Sequence, residues 1–308
     1  MPTFRLAAAA VVLTVAAMGM PLASAQPDPT ARVGVTVADA TLQGYRFEQL
    51  RISSADGQRH YRVHLALPRA AAPAEGYPVA YLLDGNAALM ELDAPLLQQL
   101  AAQPRPTVLA LIAHDNDLRI DGAARSFDYT PRRTPGKAEE FDVMNVQRRS
   151  GGADAFLDLI ESRIKPAVAA KANLDPARQM LWGHSYGGLF VLHALARRPA
   201  AFSDYVAVDP SLWWADGFIV DELEHHAVPL AAPAKLLLIQ GRPAAGKPAQ
   251  RRTDHAARAA GNAQAAVRLD AALREMQGLD VEKQGLPGLS HGQTLGAAIA
   301  PALLSLSR

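Results

Sequence analysis

Ser185 lies in "GHSYGG" (183–188), a G-x-S-x-G spacing with the apolar run "QMLWG" before it and the helical pattern "GLFVLHALARR" after it. A serine hydroxyl becomes chemically useful when a sharp strand-to-helix turn lifts it clear of the backbone. Glycines at 183 and 187 would give such a turn room. The chemistry is acyl transfer: the hydroxyl attacks a carbonyl carbon, and the backbone N–H of Tyr186, at the helix start, faces the oxyanion that develops. A plain glycine-rich turn with a chance serine has the same letters. The strand before and the helix after favour the nucleophile.

A serine is inert near neutral pH without a base in hydrogen-bond reach. In hydrolases built around such a nucleophile elbow, the base comes late in the chain, after the last strand. "GLSHGQTL" puts His291 there, between "DVEKQG" and a terminal helical pattern. The other eight of the nine histidines fit less well. His60 and His64 lie in an early hairpin, and His184 and His193 flank the elbow itself. His225 and His226 close a helix, and as neighbours they do not converge on one metal. His255 opens a helix. His114, at a strand end, competes only as a substrate contact. A second oxyanion donor is expected from the turn after an early strand. In "YLLDGNAALM" (81–90), Gly85 allows the bend and Asn86 presents its N–H at a helix start. An ordinary left-handed turn would read the same way.

These residues need a scaffold, and the pattern supplies one. "GYRFEQLRIS" (44–53) and "QRHYRVHLALP" (58–68) alternate partially around "SADG", which predicts an antiparallel hairpin. Short apolar runs follow at 79–83, 107–113, 179–183, 205–209, 234–240 and 278–284. Helical patterns lie between and after them at about 87–102, 151–171, 186–197, 214–226, 253–277 and 291–306. Buried runs separated by helices predict a mostly parallel, doubly wound α/β sheet covered on both faces, with antiparallel N-terminal strands. Residues 113–152 break the rhythm with charges, prolines and turn formers. Following a strand end, they read either as a substrate-binding insertion or as a surface loop.

Composition narrows the rest. "MPTFR", a 15-residue apolar run and "ASAQ" read as a secretory signal peptide over 1–25, cleaved after Ala25. The run is short for a bilayer span, which needs roughly 20 residues. The expectation is therefore a periplasmic or secreted protein with no stable membrane span after cleavage. Residues 26–308 suffice for a single α/β domain. The formal net charge of +1 falls to 0 without Arg5, so neither nucleic acid nor a charged membrane surface is an expected partner. The absence of cysteine excludes thiol chemistry, Cys-based metal sites and lipoprotein attachment. No cofactor and no metal are expected.

In order along the chain stand "YPVAYLLDGNA", "RSFDYTP", "GGADAFLDLIESRIKPAV", "LWGHSYGGLFVLHAL", "DPSLWW" and a late "SHG". Over about residues 40–305 these blocks resemble the esterase branch of the α/β-hydrolases. They are most similar to exported siderophore esterases that hydrolyse enterobactin and its glucosylated salmochelin forms. The resemblance implies an α/β-hydrolase fold and a catecholate trilactone substrate whose ester bonds pass through an acyl-enzyme on Ser185, with His291 as base. It also implies that Arg125, in "RSFDYTP", holds the acidic or catecholate part of the substrate, as a guanidinium is suited to do; a solvated loop charge is the other reading. Trp213 and Trp214 follow a strand end and are candidates for stacking on an aromatic substrate or for core packing.

The triad acid is missing from its usual turn. After "AKLLLIQ" the chain reads "GRPAAGKPAQRR", with no carboxylate before Asp254. Either Asp209, ending the strand "YVAVD", serves as the acid, or a Ser–His dyad operates, as the resemblance implies. Outside this chemistry stand a carboxylesterase or acyltransferase for another ester, and a siderophore carrier without catalysis.

Overall fold

The computed structural model describes residue 28, residues 30–242 and residues 253–307. The expected signal peptide and most of the turn after "AKLLLIQ" lie outside the described residues. The predicted hairpin forms as β1 (Tyr45–Ser53) and β2 (His60–Pro68), followed by β3 (Tyr77–Leu82), α1 (Gly85–Glu91), α2 (Ala94–Ala101) and β4 (Val108–His114). The middle of the chain supplies α3 (Gly122–Asp128), a small ribbon of β5 (Glu140–Phe141) and β6 (Arg149–Ser150), α4 (Ala153–Leu159) and α5 (Lys165–Ala169). Then come β7 (Leu174–His184), α6 (Tyr186–Arg197), β8 (Asp204–Val208), α7 (Phe218–His226) and β9 (Ala234–Arg242). The chain closes with α8 (Thr253–Glu275), β10 (Leu279–Pro287), α9 (His291–Ala297) and α10 (Ile299–Leu306).

Eight strands form one sheet in the order β1-β2-β4-β3-β7-β8-β9-β10. β2 runs antiparallel to both its neighbours, and every pairing from β4 to β10 is parallel. Period-two alternation along the central strands sends side chains to two separate cores. Val79, Tyr81 and Leu181 pack with α4, α6 and α7 on one face, while Ala80, Leu82, Met180 and Trp182 pack with α1, α2 and α10 on the other. That is the doubly wound sheet of an α/β-hydrolase, with the antiparallel start the hairpin predicts.

Several of the predicted helices are divided, and that over 151–171 passes through a wider π-helical turn at Ile160–Ile164 between α4 and α5. The pattern over 87–102 divides before Asp93, whose side chain caps α2 by accepting from the Leu96 N–H at 2.8 Å. The terminal pattern divides at Ala298. The segment 113–152 is more ordered than its composition suggests, because its polar residues are spent internally. Asp128, buried at the end of α3, accepts from Arg59 Nη1 at 2.9 Å and Tyr61 Oη at 2.7 Å, and lies 2.9 Å from His114 Nε2. Glu140 accepts the backbone N–H groups of Arg133 and Thr134. No helix among the described residues is long and apolar enough to cross a membrane.

Candidate active site

β7 ends at His184 and α6 begins at Tyr186, which leaves Ser185 at the corner with φ 60° and ψ −114°. A non-glycine residue at that φ is strained and persists only where its surroundings hold it. Here the Ser185 N–H donates to the Val208 carbonyl at 2.9 Å, and its own carbonyl accepts from Leu189 and Ser211 at 3.0 and 3.2 Å. The need for glycine falls unequally on the two flanks. A Cβ on Gly183 would lie 2.3 Å from the Gly187 carbonyl oxygen, whereas one on Gly187 would meet nothing nearer than Leu83 Cβ at 3.6 Å. The other crowded position is Gly188, where a Cβ would lie 3.0 Å from Pro210 Cα.

Ser185 Oγ lies 3.1 Å from His291 Nε2 and 3.2 Å from Ser211 Oγ. His291 opens α9 directly after Ser290, whose side chain forms a capping box with Gln293 and fixes the helix start. The backbone of His291 is held from below. His184 Nε2–H donates to the His291 carbonyl at 2.8 Å, and the two imidazoles lie 4.7 Å apart between centroids. Burial, and then the neighbouring His291, keep the His184 pKa well below its ordinary value, so His184 is a neutral donor.

Asp209 is close to the base without bonding to it. Its Oδ2 lies 3.8 Å from His291 Nδ1, beyond hydrogen-bond range. Its oxygens are taken by other donors, the Gly241 N–H at 3.0 Å and Thr294 Oγ1 at 2.5 Å. His184, Asp209 and His291 are also the group among the described residues whose ligand atoms, all within 4.8 Å of one another, are of the types that hold a metal. As they stand, His184 Nε2 is engaged by a carbonyl and His291 Nε2 by Ser185.

The "DGN" turn lies beside the elbow because β3 and β7 are adjacent and parallel. The Leu83 N–H donates to the Trp182 carbonyl at 3.0 Å, and a Cβ on Gly187 would come 3.7 Å from Asp84 Oδ2. Gly85 is required here, since a Cβ would fall 2.5 Å from the Leu111 backbone. The Asp84 N–H is taken by Tyr129 Oη at 3.0 Å. The Asn86 side chain is structural: Nδ2 donates to the Asn116 and Leu118 carbonyls, and Oδ1 accepts from His64 Nε2 at 3.0 Å. The Asn86 and Tyr186 N–H groups each belong to the first turn of a helix, where no intrahelical acceptor exists.

Arg125 is engaged within the protein. Its Nε and Nη2 make a bidentate pair with Asp84 at 3.0 and 2.8 Å, and Nη2 also reaches the His184 carbonyl at 3.2 Å. The guanidinium lies 5.4 Å from the ring centroids of both Tyr129 and Tyr186. It is turned inward, clamping the "DGN" turn to the elbow, with two of its three nitrogens committed. Trp214 is fully buried against Phe218, so it packs in the core and offers no face to a substrate. Trp213 is half-buried, 6.1 Å from the Tyr186 ring. The insertion touches the site through Asp142, which accepts from Tyr186 Oη at 3.1 Å and from Ser126 Oγ. Beside Asp142 the apolar Phe141, Val143, Met144 and Val146 stand exposed.

His184, Ser211, Thr294 and Asp84 are site residues that sequence reasoning did not assign. Ser211 and Asp84 fall inside the quoted blocks "DPSLWW" and "YLLDGNA", but only the folded chain shows what they touch.

Comparison with known proteins shows what this chain is similar to. The family described as "Putative esterase" matches residues 54–277. The apo-salmochelin esterase of Escherichia coli O6:H1 is 34% identical over 276 residues, covering 89% of this chain and 83% of that protein. The ferri-bacillibactin esterase of Bacillus subtilis is 32% identical over 56% of this chain and 61% of its own length. Among solved structures, the enterobactin and salmochelin hydrolase IroE superposes with a TM-score of 0.70 at 33% identity, covering 88% of this chain and 98% of that one.

Proposed function

Because the chain belongs to the Putative esterase family, we propose that it is an exported serine esterase that opens the ester bonds of a catecholate siderophore trilactone. The reading of the mechanism rests above all on one observation, the 3.1 Å contact of Ser185 Oγ with His291 Nε2 at a strained elbow. His291 Nε2 takes the serine proton as Oγ bonds to the ester carbonyl carbon. The oxyanion is met by the Asn86 and Tyr186 N–H groups. His291 then returns its proton to the departing alkoxide, leaving an acyl-serine. Water, deprotonated by the same imidazole, releases the carboxylate. His184 holds the backbone of the base and Asp209 acts on its imidazole through space, so the working unit is a Ser–His dyad with a nearby carboxylate.

The substrate class is drawn from the salmochelin, enterobactin and bacillibactin esterases to which the chain is similar. Export is drawn from the charged start, apolar run and A-x-A site of residues 1–25. Chromatographic product analysis on apo- and ferric enterobactin, beside p-nitrophenyl esters, tests both levels. Ser185→Ala and His291→Ala should each abolish turnover of every ester, and full activity in either variant would overturn the mechanism. Turnover of simple esters without any siderophore would leave an esterase of another substrate.

A further inference from the structure

Gln179 lies within β7 and Ser185 follows the end of that strand, six residues on and therefore about 20 Å away. At the Gln179 end a cleft of about 360 Å³ opens between β3, α5 and the start of β7. Two of the residues that line it, Tyr81 and Gln179, each carry a buried polar atom with no partner among the described residues, Tyr81 Oη and Gln179 Oε1. Tyr81 is wholly buried, so its hydroxyl has lost water without gaining a hydrogen bond, a cost that native proteins seldom leave unanswered. The third polar group is Lys165. Its Nζ donates to the Ala201 carbonyl and sits 3.9 Å from the Phe202 ring centroid and 5.8 Å from that of Tyr81. Burial presses this ammonium down to about 8, so an anion beside it would be welcome while it still carries its charge at neutral pH. Glu161, on the rim, is engaged by Arg198 Nη1 at 2.6 Å. Asn173 adds one more polar side chain, and the rest of the wall is apolar, with Pro166, Ala172 and Leu174 among its residues.

We propose that this cleft, at the opposite end of β7 from Ser185, is a second binding site, for a hydroxycarboxylic acid with an apolar body. Each polar group calls for a different part of such a ligand. The Lys165 ammonium and the Tyr81 hydroxyl donate to the two carboxylate oxygens, and Gln179 Oε1 accepts from the ligand hydroxyl. The apolar body lies along Pro166, Ala172 and Leu174. A plain fatty acid would leave Gln179 Oε1 unpaired, and an amine would meet Lys165 with like charge. The inference stands apart from the reading of Ser185, although hydrolysis of a hydroxy-acid polyester releases this class of compound.

Isothermal titration of the full chain with 3-phenyllactate tests it. The expected result is saturable binding with a Kd of about 1 mM or tighter. 3-Phenylpropanoate, which lacks the hydroxyl, should bind about fivefold more weakly. Lys165→Met should weaken 3-phenyllactate at least about tenfold. Tyr81→Phe removes a hydroxyl that supports nothing in the fold, so it should keep the melting temperature and still lose affinity. Ser185→Ala should bind as the parent does. No saturable binding at millimolar ligand, parental affinity in both Lys165→Met and Tyr81→Phe, or loss of binding in Ser185→Ala would each overturn the proposal.

Discussion

At the scale of the residue, the question is how strongly Asp209 supports the base. Its Oδ2 is 3.8 Å from His291 Nδ1, and the imidazole is half exposed, so solvent screens what Coulomb attraction the pair has. Asp209→Asn keeps an acceptor for the Gly241 N–H and so preserves the turn. We expect kcat to fall about ten- to a hundredfold in this variant with KM nearly unchanged, short of the roughly ten-thousandfold loss that follows when a hydrogen-bonded triad acid is neutralised. Steady-state kinetics on a p-nitrophenyl ester read the difference. A drop of several thousandfold would make Asp209 a full triad member.

At the scale of the element, the elbow and the helices behind it carry two predictions. Gly183→Ala forces a Cβ to within 2.3 Å of the α6 backbone, which can yield only by moving the helix away from β7. It should cost about 3 kcal/mol or more in denaturant unfolding, whereas Gly187→Ala should cost less than about 1 kcal/mol. Equal costs would show that the two glycines share the constraint. Deeper in the same helix, buried His193 joins α6 to α4 and α7 through Asp154 at 3.2 Å and Glu222 at 2.7 Å. Burial alone would lower its pKa, but the two carboxylate hydrogen bonds outweigh burial and raise it to about 9 from 6.5. A raised folded pKa gives stability that is complete below 6.5 and drains away as pH rises towards 9. His184 acts in the opposite sense: its folded pKa is lowered, so its contribution is present above 6.5 and lost as pH falls. Unfolding free energy should therefore decline from pH 6.5 up to about 8, where the lowered pKa of Lys165 begins to act in the opposite sense, by up to about 1.4 kcal/mol per pH unit, and His193→Gln should flatten that slope. An unchanged slope in the variant would mean that His193 does not hold its proton in the fold.

At the scale of the whole molecule, Arg125 is where the insertion, the oxyanion turn and the elbow meet. It stands on α3 and binds Asp84 after β3 and the His184 carbonyl at the end of β7. Arg125→Met leaves the Asp84 carboxylate buried and unpaired, which should cost about 3–5 kcal/mol and lower kcat as the turn loosens. Arg125→Met with Asp84→Asn should recover part of that stability, because the uncompensated charge is gone. Thermal denaturation of the two single variants and the double one checks this. Strict additivity would mean that the pair is not coupled.

Much was legible in the letters because local chemistry decides it. The alternation of "YRFEQLRIS", the short apolar runs and the glycine at 183 follow from side-chain period and from steric room at a turn. They carried the sheet, the helices and the elbow at Ser185. His291 was legible too, since its place after the last strand follows from chain order. What tertiary structure alone decided are the partnerships between distant segments. Arg125 reads as a substrate contact or a solvated loop charge, and only the fold shows β3 bringing Asp84 beside it. Trp214 reads equally as a stacking face or a core residue until α7 buries it, and the polar stretch 113–152 reads as a binding insertion or a surface loop until Asp128 and Glu140 find their donors. Asp209 is the sharpest case. Its position after β8 is visible in sequence, but whether its carboxylate serves His291 or Gly241 and Thr294 depends on ångström distances between β8, β9 and α9, which no local pattern encodes.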